Sequence, residues 1–260
     1  MIELLKVESS KKRWELNKEY IEILGSPIDG FWENVVIGTA LCYQIKHDKK
    51  MVGHFFVDED KTLVQFYVSR EYYNNAPEIF NNIIKSNKVK KAAVPTKEVD
   101  YLTLCLDSQK SLEVDMYLFE DNQNMNHKFN TFSSSTFRLA NKGDIDSIRL
   151  KCDDAYDGYY ENLIENDNLF VLYDGNSLLG IGEFRIIRSN EKYGDIGVVV
   201  AEEYRRRGIG TYIIKKLKEH CYSKGLKPMA CCDIENLASK STLEKAGFIA
   251  NHRVLNVQFK

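Results

Sequence analysis

Residues 198–210 read VVVAEEYRRRGIG. A β-branched run leads into an acidic turn, then three arginines, then Gly-x-Gly. Valine runs favour a buried strand. The stretch that follows, GIGTYIIKKLKEHCYSKG at 208–225, places Ile209, Ile213, Leu217 and Cys221 on one helical face and Gly225 at its end. A strand therefore runs directly into a helix N-terminus. The first amides of a helix have no internal partners and carry about half a positive charge, which makes an anion site. Gly208 and Gly210 let the backbone approach an anion without a Cβ in the way. Arg205, Arg206 and Arg207 add charge suited to phosphate oxygens. The pattern points to a diphosphate.

The two commonest diphosphate motifs do not fit. A dinucleotide fingerprint needs a third glycine where Ile213 stands, and a nucleotide P-loop needs Lys-Ser or Lys-Thr where Thr211 and Tyr212 stand. Nor does bulk composition favour a polyanionic partner. The chain has 260 residues and a net charge of -2, with 43% hydrophobic and 28% charged residues. Three arginines without a wider basic face make a small footprint for nucleic acid. No apolar run approaches the ~18 residues of a membrane span, and MIELLKVESS is a poor signal peptide. Six cysteines without metal spacing read as free thiols in a reducing cytoplasm. The histidines, His47, His54, His127, His220 and His252, also lack ligand spacing, so no metal is expected.

Outward from the turn, elements alternate. Residues 9–25 read as a helix capped by Ser9 or Ser10 and closed by Gly25. ALCYQIK, MVGHFFVDED and TLVQFYV read as antiparallel strands, PEIFNNIIK as a short helix opening at Pro77, and KAAV as a strand. VDYLTLCLD suits either helix or strand, and SLEVDMYLFE reads as a strand. A polar, serine-rich stretch at 121–136 suggests a linker. The pattern then restarts: a helix at 141–152, a hairpin turning at residues 174–176, the strand YGDIGVVV, the long helix, the strand PMACCDI, a short helix at 237–247, and a last strand, RVLNVQF. MVGHFF matches LLGIGEF, and FYVSREYY at 66–73 matches VVVAEEYR at 198–205. This self-similarity predicts a duplicated α+β domain, with halves at 1–130 and 136–260.

Arg-x-x-Gly-x-Gly after an apolar strand, with Asn236 after the next strand and EKAGF at 244–248, resembles the acyl-CoA signature of the GNAT superfamily of N-acetyltransferases. The resemblance runs from about Asn141 to the C-terminus. It implies two tandem GNAT-like domains, each a mixed, mostly antiparallel sheet flanked by helices, and acetyl-CoA as cosubstrate. It further implies that the backbone of Val198, Val199 and Val200 meets the pantetheine, and that the amides of residues 206–211, Arg206, Arg207, Gly208, Ile209, Gly210 and Thr211, cradle the pyrophosphate beside Arg205. Asn236 and Ser239 would contact the pantetheine arm, although Asn236 also reads as a helix N-cap.

Transfer to an amine needs a neutral nucleophile, and an alkyl amine is protonated near neutral pH, so a base helps. Glu183 on the hairpin and Asp195 on the valine strand are equal candidates. The tyrosine that protonates the leaving thiolate in this superfamily is matched here by Leu243, with only Ser239, Ser241 and Thr242 nearby. DDAYDGYYENLIENDN at 153–168 mixes carboxylates with tyrosines, which suits a cationic amine. In the first half the arginine and glycine positions hold Tyr73, Ala76 and Glu78, and Pro77 removes an amide. That half is expected to keep the fold and to have lost the cofactor. The leading expectation is N-acetyltransfer from acetyl-CoA to a primary amine, small molecule or peptide, in a ternary complex. The alternative is a non-catalytic acyl-CoA-binding regulatory or scaffold protein. The sequence leaves the oligomeric state open.

Overall fold

A computed structural model describes residues 1–123, 132, 134–152 and 157–260. His127, most of the serine-rich stretch and the start of the acidic segment lie outside the described residues. The chain divides into two compact units. Unit 1 is Met1–Leu118 with Arg188–Asn190 and His252–Lys260, and unit 2 is Phe119–Ile187 with Glu191–Asn251.

Unit 1 contains β1 (Ile2–Lys6), α1 (Ser10–Leu24), a π-helical segment Trp32–Ile37, β2 (Leu41–His47), β3 (Lys50–Val57), β4 (Thr62–Val68), α2 (Ala76–Ile84), β5 (Lys91–Pro95) and α3 (Val99–Ser108). Helix α1 starts where the Ser9 side chain accepts the Lys12 amide, and it stops at Gly25, φ 82°. The ambiguous VDYLTLCLD is α3: Tyr101, Leu104 and Cys105 are its buried residues, the i, i+3, i+4 pattern of a helix face. Aromatic rings dominate the core, with Phe66 edge-on to Phe80 at 5.2 Å and Phe80 edge-on to Phe259 at 5.8 Å.

Unit 2 contains β7 (Ser135–Leu139), α4 (Ile145–Cys152), α5 (Tyr159–Glu165), β8 (Leu169–Asp174), β9 (Ser177–Ile186), β10 (Tyr193–Val200), α6 (Ile209–Ser223), β11 (Lys227–Asp233) and α7 (Leu237–Lys245). Two further strands, β6 (Gln109–Asp121) and β12 (Phe248–Phe259), contribute residues to both units. Strand order is β1-β2-β3-β4-β5-β12 in unit 1 and β11-β10-β9-β8-β7 in unit 2. Each order holds one parallel step, β4 with β5 and β10 with β11, among antiparallel neighbours.

Several features differ from the sequence reading, among them the π-helical segment Trp32–Ile37 and β7, which starts inside the stretch read as a linker. A strand at Ile2–Lys6 pairs with β2, where no element was expected. The last residues, assigned above to the half at 136–260, belong to unit 1. The reason is hydrogen bonding: Val254 to Gln258 run antiparallel to Pro95 to Lys91, and Leu255 and Val257 enter the unit 1 core.

The duplication extends to register. Gly53 lies opposite Val68, and Gly180 lies opposite Val200, the same partners that the sequence match pairs. Both positions exclude a side chain: a Cβ on Gly53 would stand 2.0 Å from the Tyr67 carbonyl oxygen, and one on Gly180 2.7 Å from that of Val199. In both units the parallel step is short. β4 meets β5 only at Thr62 and Leu63, and β10 meets β11 only from Tyr193 to Asp195. Beyond those points the strands part.

Candidate active site

The parting of β10 from β11 creates the site. β10 stays paired with β9 through Val200 while its β11 register ends at Asp195 and Met229. The Ala201 amide donates to the Leu179 carbonyl at 3.1 Å. Alternation along an antiparallel strand then turns the amides of Val199 and Gly197 toward β9, and those of Val198 and Val200 toward the open edge. The Val200 carbonyl accepts Arg205 Nε at 3.2 Å. Val198, Val199 and Val200 are all half-buried.

β10 ends in the arginine turn. Arg206 has φ 63° and Gly208 φ 83°, so a branched or bulky residue at 208 would be strained. Among the described residues, the amides of 206–211 have no protein acceptor; the helical ladder begins with Tyr212 donating to the Gly208 carbonyl at 3.0 Å. Six consecutive unmet donors at the positive end of a 15-residue helix form an anion cradle. The arginines flank it: Arg207 donates to the Glu203 carbonyl at 3.0 Å and lies 5.4 Å from the Tyr204 ring centroid. Gly210 serves packing as well. A Cβ there would lie 3.1 Å from Thr242 Cγ2 of α7 and 3.4 Å from Val200 Cγ2.

Asn236 caps α7, its Oδ1 accepting the Ser239 amide at 3.0 Å. That fulfils the capping role and leaves its amide nitrogen, on an exposed residue, for a ligand. Leu243 is 3% exposed on the buried side of α7, so no acid stands where the superfamily places its tyrosine.

The two candidate bases are brought together through a residue that the sequence reading overlooked. Arg185 pairs with Glu183 at 2.8 Å and approaches Asp195 at 3.8 Å. All three share one face of the sheet, because Arg185 lies opposite Asp195, and Glu183 opposite Gly197. Tyr159, the first residue of α5, donates its hydroxyl to Glu183 at 2.7 Å and accepts from Arg185. Burial works against the Arg185 charge, but Glu183, Tyr159 and Asp195 outweigh it and raise its pKa. Burial, then the Glu183 carboxylate, lifts the Tyr159 phenol well above its ordinary range. Period-two spacing from Glu183 could have flagged Arg185; Tyr159 sits in the acidic-aromatic segment already singled out.

Glu183 and Asp195 differ in setting. Asp195 faces the closed part of the sheet, where β10 is hydrogen-bonded on both sides. Glu183 lies over Gly197, its Oε2 4.0 Å from where a Cβ would stand, next to the open edge. His220 is structural, packed edge-on against Phe170 and Phe184 at 5.0 and 4.7 Å. Among the described residues no group of three metal-ligating side chains converges, and no helix is long and apolar enough to cross a membrane.

Family models match both units: an acetyltransferase (GNAT) domain over residues 9–122 and the acetyltransferase (GNAT) family over 136–248. The chain belongs to the GNAT superfamily. It is thus a member of an acyltransferase family, with two GNAT domains in tandem. A GNAT-family acetyltransferase from Colwellia psychrerythraea superposes with a TM-score of 0.90 at 27% identity, covering 99% of this chain and 100% of that one. A tandem GNAT protein from the clavulanic acid biosynthesis pathway gives 0.62 at 10% identity, covering 99% and 98%. A GCN5-related N-acetyltransferase from Sphaerobacter thermophilus gives 0.64 at 12%, covering 99% and 95%; these two similarities concern the fold alone. Among curated proteins, the uncharacterized N-acetyltransferase YobR of Bacillus subtilis is 34% identical over 96 residues, 36% of this chain and 38% of that protein.

Proposed function

We propose that unit 2 transfers an acetyl group from acetyl-CoA to a primary amine by direct attack within a ternary complex. One observation carries this reading. β10 loses its β11 neighbour while keeping β9, and its open edge leads into six unpaired amides. An edge of free peptide groups suits the pantetheine amides, and the cradle suits the pyrophosphate. Val198 and Val200 would hold the arm, the amides of 206–211 the phosphates, and Asn236, with Ser239 at the start of α7, the pantetheine on its other side.

The chemistry asked of the chain is modest, because a thioester held next to an amine already reacts readily. The amine nitrogen attacks the acetyl carbon, the C–N bond forms and the C–S bond breaks. The Val198 amide polarises the carbonyl oxygen. The proton leaving the nitrogen passes to Glu183 directly or through one water, and the thiolate takes a proton from water. Glu183 is favoured over Asp195 because it lies beside the open edge. Arg185 and Tyr159 position it. The net negative charge of Glu183, Asp195 and Arg185 together attracts a cationic acceptor, small molecule or peptide. Six free cysteines fit a reducing, cytoplasmic setting.

Buried Leu243 favours one other reading, a regulatory or scaffold protein that binds acyl-CoA without turnover. Calorimetric titration of coenzyme A into wild type and an Arg207→Glu, Gly208→Glu variant tests the cradle: binding should be lost in the variant. Thiol release from acetyl-CoA over an amine panel then separates enzyme from binder. Absence of coenzyme A binding to the wild type would overturn both.

A further inference from the structure

Unit 1 has the same parted strands as unit 2 but a different lining. Past Leu63, β4 leaves β5, and the space holds a cavity of about 280 Å³ walled by α1, β4, the 70–73 segment and the start of α3. The phosphate cradle is absent from its rim: Tyr73, Ala76 and Glu78 stand where unit 2 carries arginine and glycine, and Pro77 removes an amide. A coenzyme would meet a carboxylate and a missing amide there.

The interior is aromatic and carries one buried acid. Tyr20, Phe66, Tyr67, Tyr73 and Tyr101 are among its lining residues. Glu98 is 2% exposed and its Oε2 accepts the Tyr20 hydroxyl. Glu98 is the N-cap of α3, the place that Asn236 holds on α7, yet its side chain caps nothing and lines the cavity instead. Where α7 carries an amide, α3 carries a carboxyl. Two protein cations also reach this cavity. Lys97 Nζ donates to the Pro27 carbonyl at 2.9 Å. Arg70, with its side chain 84% exposed, lies 3.7 Å from Asp100 and 5.6 Å from the Tyr73 ring centroid, at the mouth.

We infer that this cavity is a second ligand site, distinct from the acyl-CoA cleft, and that it takes a small organic ammonium ion. The aromatic lining attracts the cation and Glu98 supplies the counter-charge. Burial pushes Glu98 up to about 8, against the opposing effects of the Tyr20 hydroxyl and Lys97. The bound cation therefore displaces a proton from Glu98 to solvent. Tyr67, Tyr73, Tyr101, Arg70 and Asp100 complete the titratable groups lining the cavity.

The test is calorimetry on the full chain with butylammonium and choline, each against its neutral isostere, butanol and 3,3-dimethylbutan-1-ol, up to roughly 10 mM. The expected result is saturable binding of an ammonium with its isostere at least about tenfold weaker. At pH 7, titrations in two buffers of different ionisation enthalpy should show net proton release on binding, approaching one per cation. Glu98→Gln, which keeps the side-chain shape, should weaken binding tenfold or more and leave coenzyme A binding unchanged. Glu183→Gln should leave choline binding unchanged; the choline nitrogen carries no proton to lose and cannot be an acceptor, which separates this site from an acceptor site in unit 2. The inference is overturned if neither ammonium binds, if the isosteres bind equally well, or if Glu183→Gln abolishes binding while Glu98→Gln does not.

Discussion

Helix α6 carries the arginine turn, and one fully buried lysine anchors it. Lys218 Nζ lies 2.6 Å from Asp121 Oδ1 and 2.9 Å from the Ala246 carbonyl, with the two side chains 0% and 5% exposed. The Tyr222 hydroxyl donates to the other Asp121 oxygen. Two charges withdrawn from water lose several kcal/mol of solvation each, and their mutual attraction roughly offsets that loss. Removing one partner does not. Lys218→Met keeps the aliphatic volume but leaves the buried Asp121 carboxylate with two neutral donors, the Tyr222 hydroxyl and the Gln123 amide, and takes the lysine donor from the Ala246 carbonyl, which costs about 3–5 kcal/mol. Asp121→Leu should cost a similar amount by stranding Lys218. The double variant removes both charges and should lie within about 2 kcal/mol of wild type, a coupling energy of several kcal/mol.

Hydrogen exchange read on peptides spanning 209–223 isolates this effect to α6. Each single variant should lower protection by about 10²- to 10³-fold, and the double variant should regain most of it. Coenzyme A should restore protection in both single variants by mass action, because it binds only the folded turn. If the single variants lose less than about 1 kcal/mol, or if their losses simply add in the double variant, the pair is not an electrostatic anchor and this reasoning fails.

Three further outcomes follow from the same structure. Because burial holds Glu98 near 8 instead of the ordinary 4.5, the folded state keeps a proton that the unfolded chain releases. The associated stability is complete below pH 4.5 and is lost as pH rises through 8, at most on the order of 5 kcal/mol. Melting curves from pH 5 to 9 should show that decline in wild type and not in Glu98→Gln; parallel curves would refute it. Glu183→Gln should lower the turnover of acetyl-CoA with an amine by about 10²-fold or more while leaving coenzyme A affinity intact, and Asp195→Asn should do less; the reverse order in a thiol-release assay would move the base to Asp195. Gly180→Ala places a Cβ against the Val199 carbonyl and should cost about 1–3 kcal/mol. It should also weaken coenzyme A binding, since it displaces the strand whose edge holds the arm; unchanged stability in urea would contradict so close an approach of the two strands.

Local signals made much of this legible. Ser9 and Gly25 bound α1 because capping and left-handed termination depend on neighbouring residues alone. The turn at 205–210 announces its anion chemistry for the same reason, since helix-end amides need no distant partner. The internal match was readable because the register pairs Gly53 with Val68 and Gly180 with Val200, and both glycines stand where a carbonyl leaves no room. What escaped depends on distant pairing. RVLNVQF alternates as any half-buried strand does, and nothing in it specifies β5 as the neighbour. Arg185 resembles a solvated strand charge until the sheet places Asp195 opposite it. Glu98 is a lone acid after a lysine, yet aligning the two helix starts would have set it against Asn236.

The two units share the parted strands because their cause lies in the fold: a parallel step of two or three residues on one side of a strand whose other side is held by a close glycine contact to its antiparallel neighbour. The opening is therefore inherited whatever it later contains. What it binds depends on the few residues at its ends. At 205–211 these are arginines, glycines and free amides, and the opening suits phosphates. At 73–78 they are tyrosine, proline and glutamate, and it does not. Loss of the cradle would by itself leave unit 1 with an idle gap, and an idle apolar gap is better filled by larger side chains. Instead the gap holds a buried carboxyl whose solvation loss must be carried by the rest of the unit. A group that costs stability while occupying a cap position it does not serve is more economically explained by a ligand than by packing.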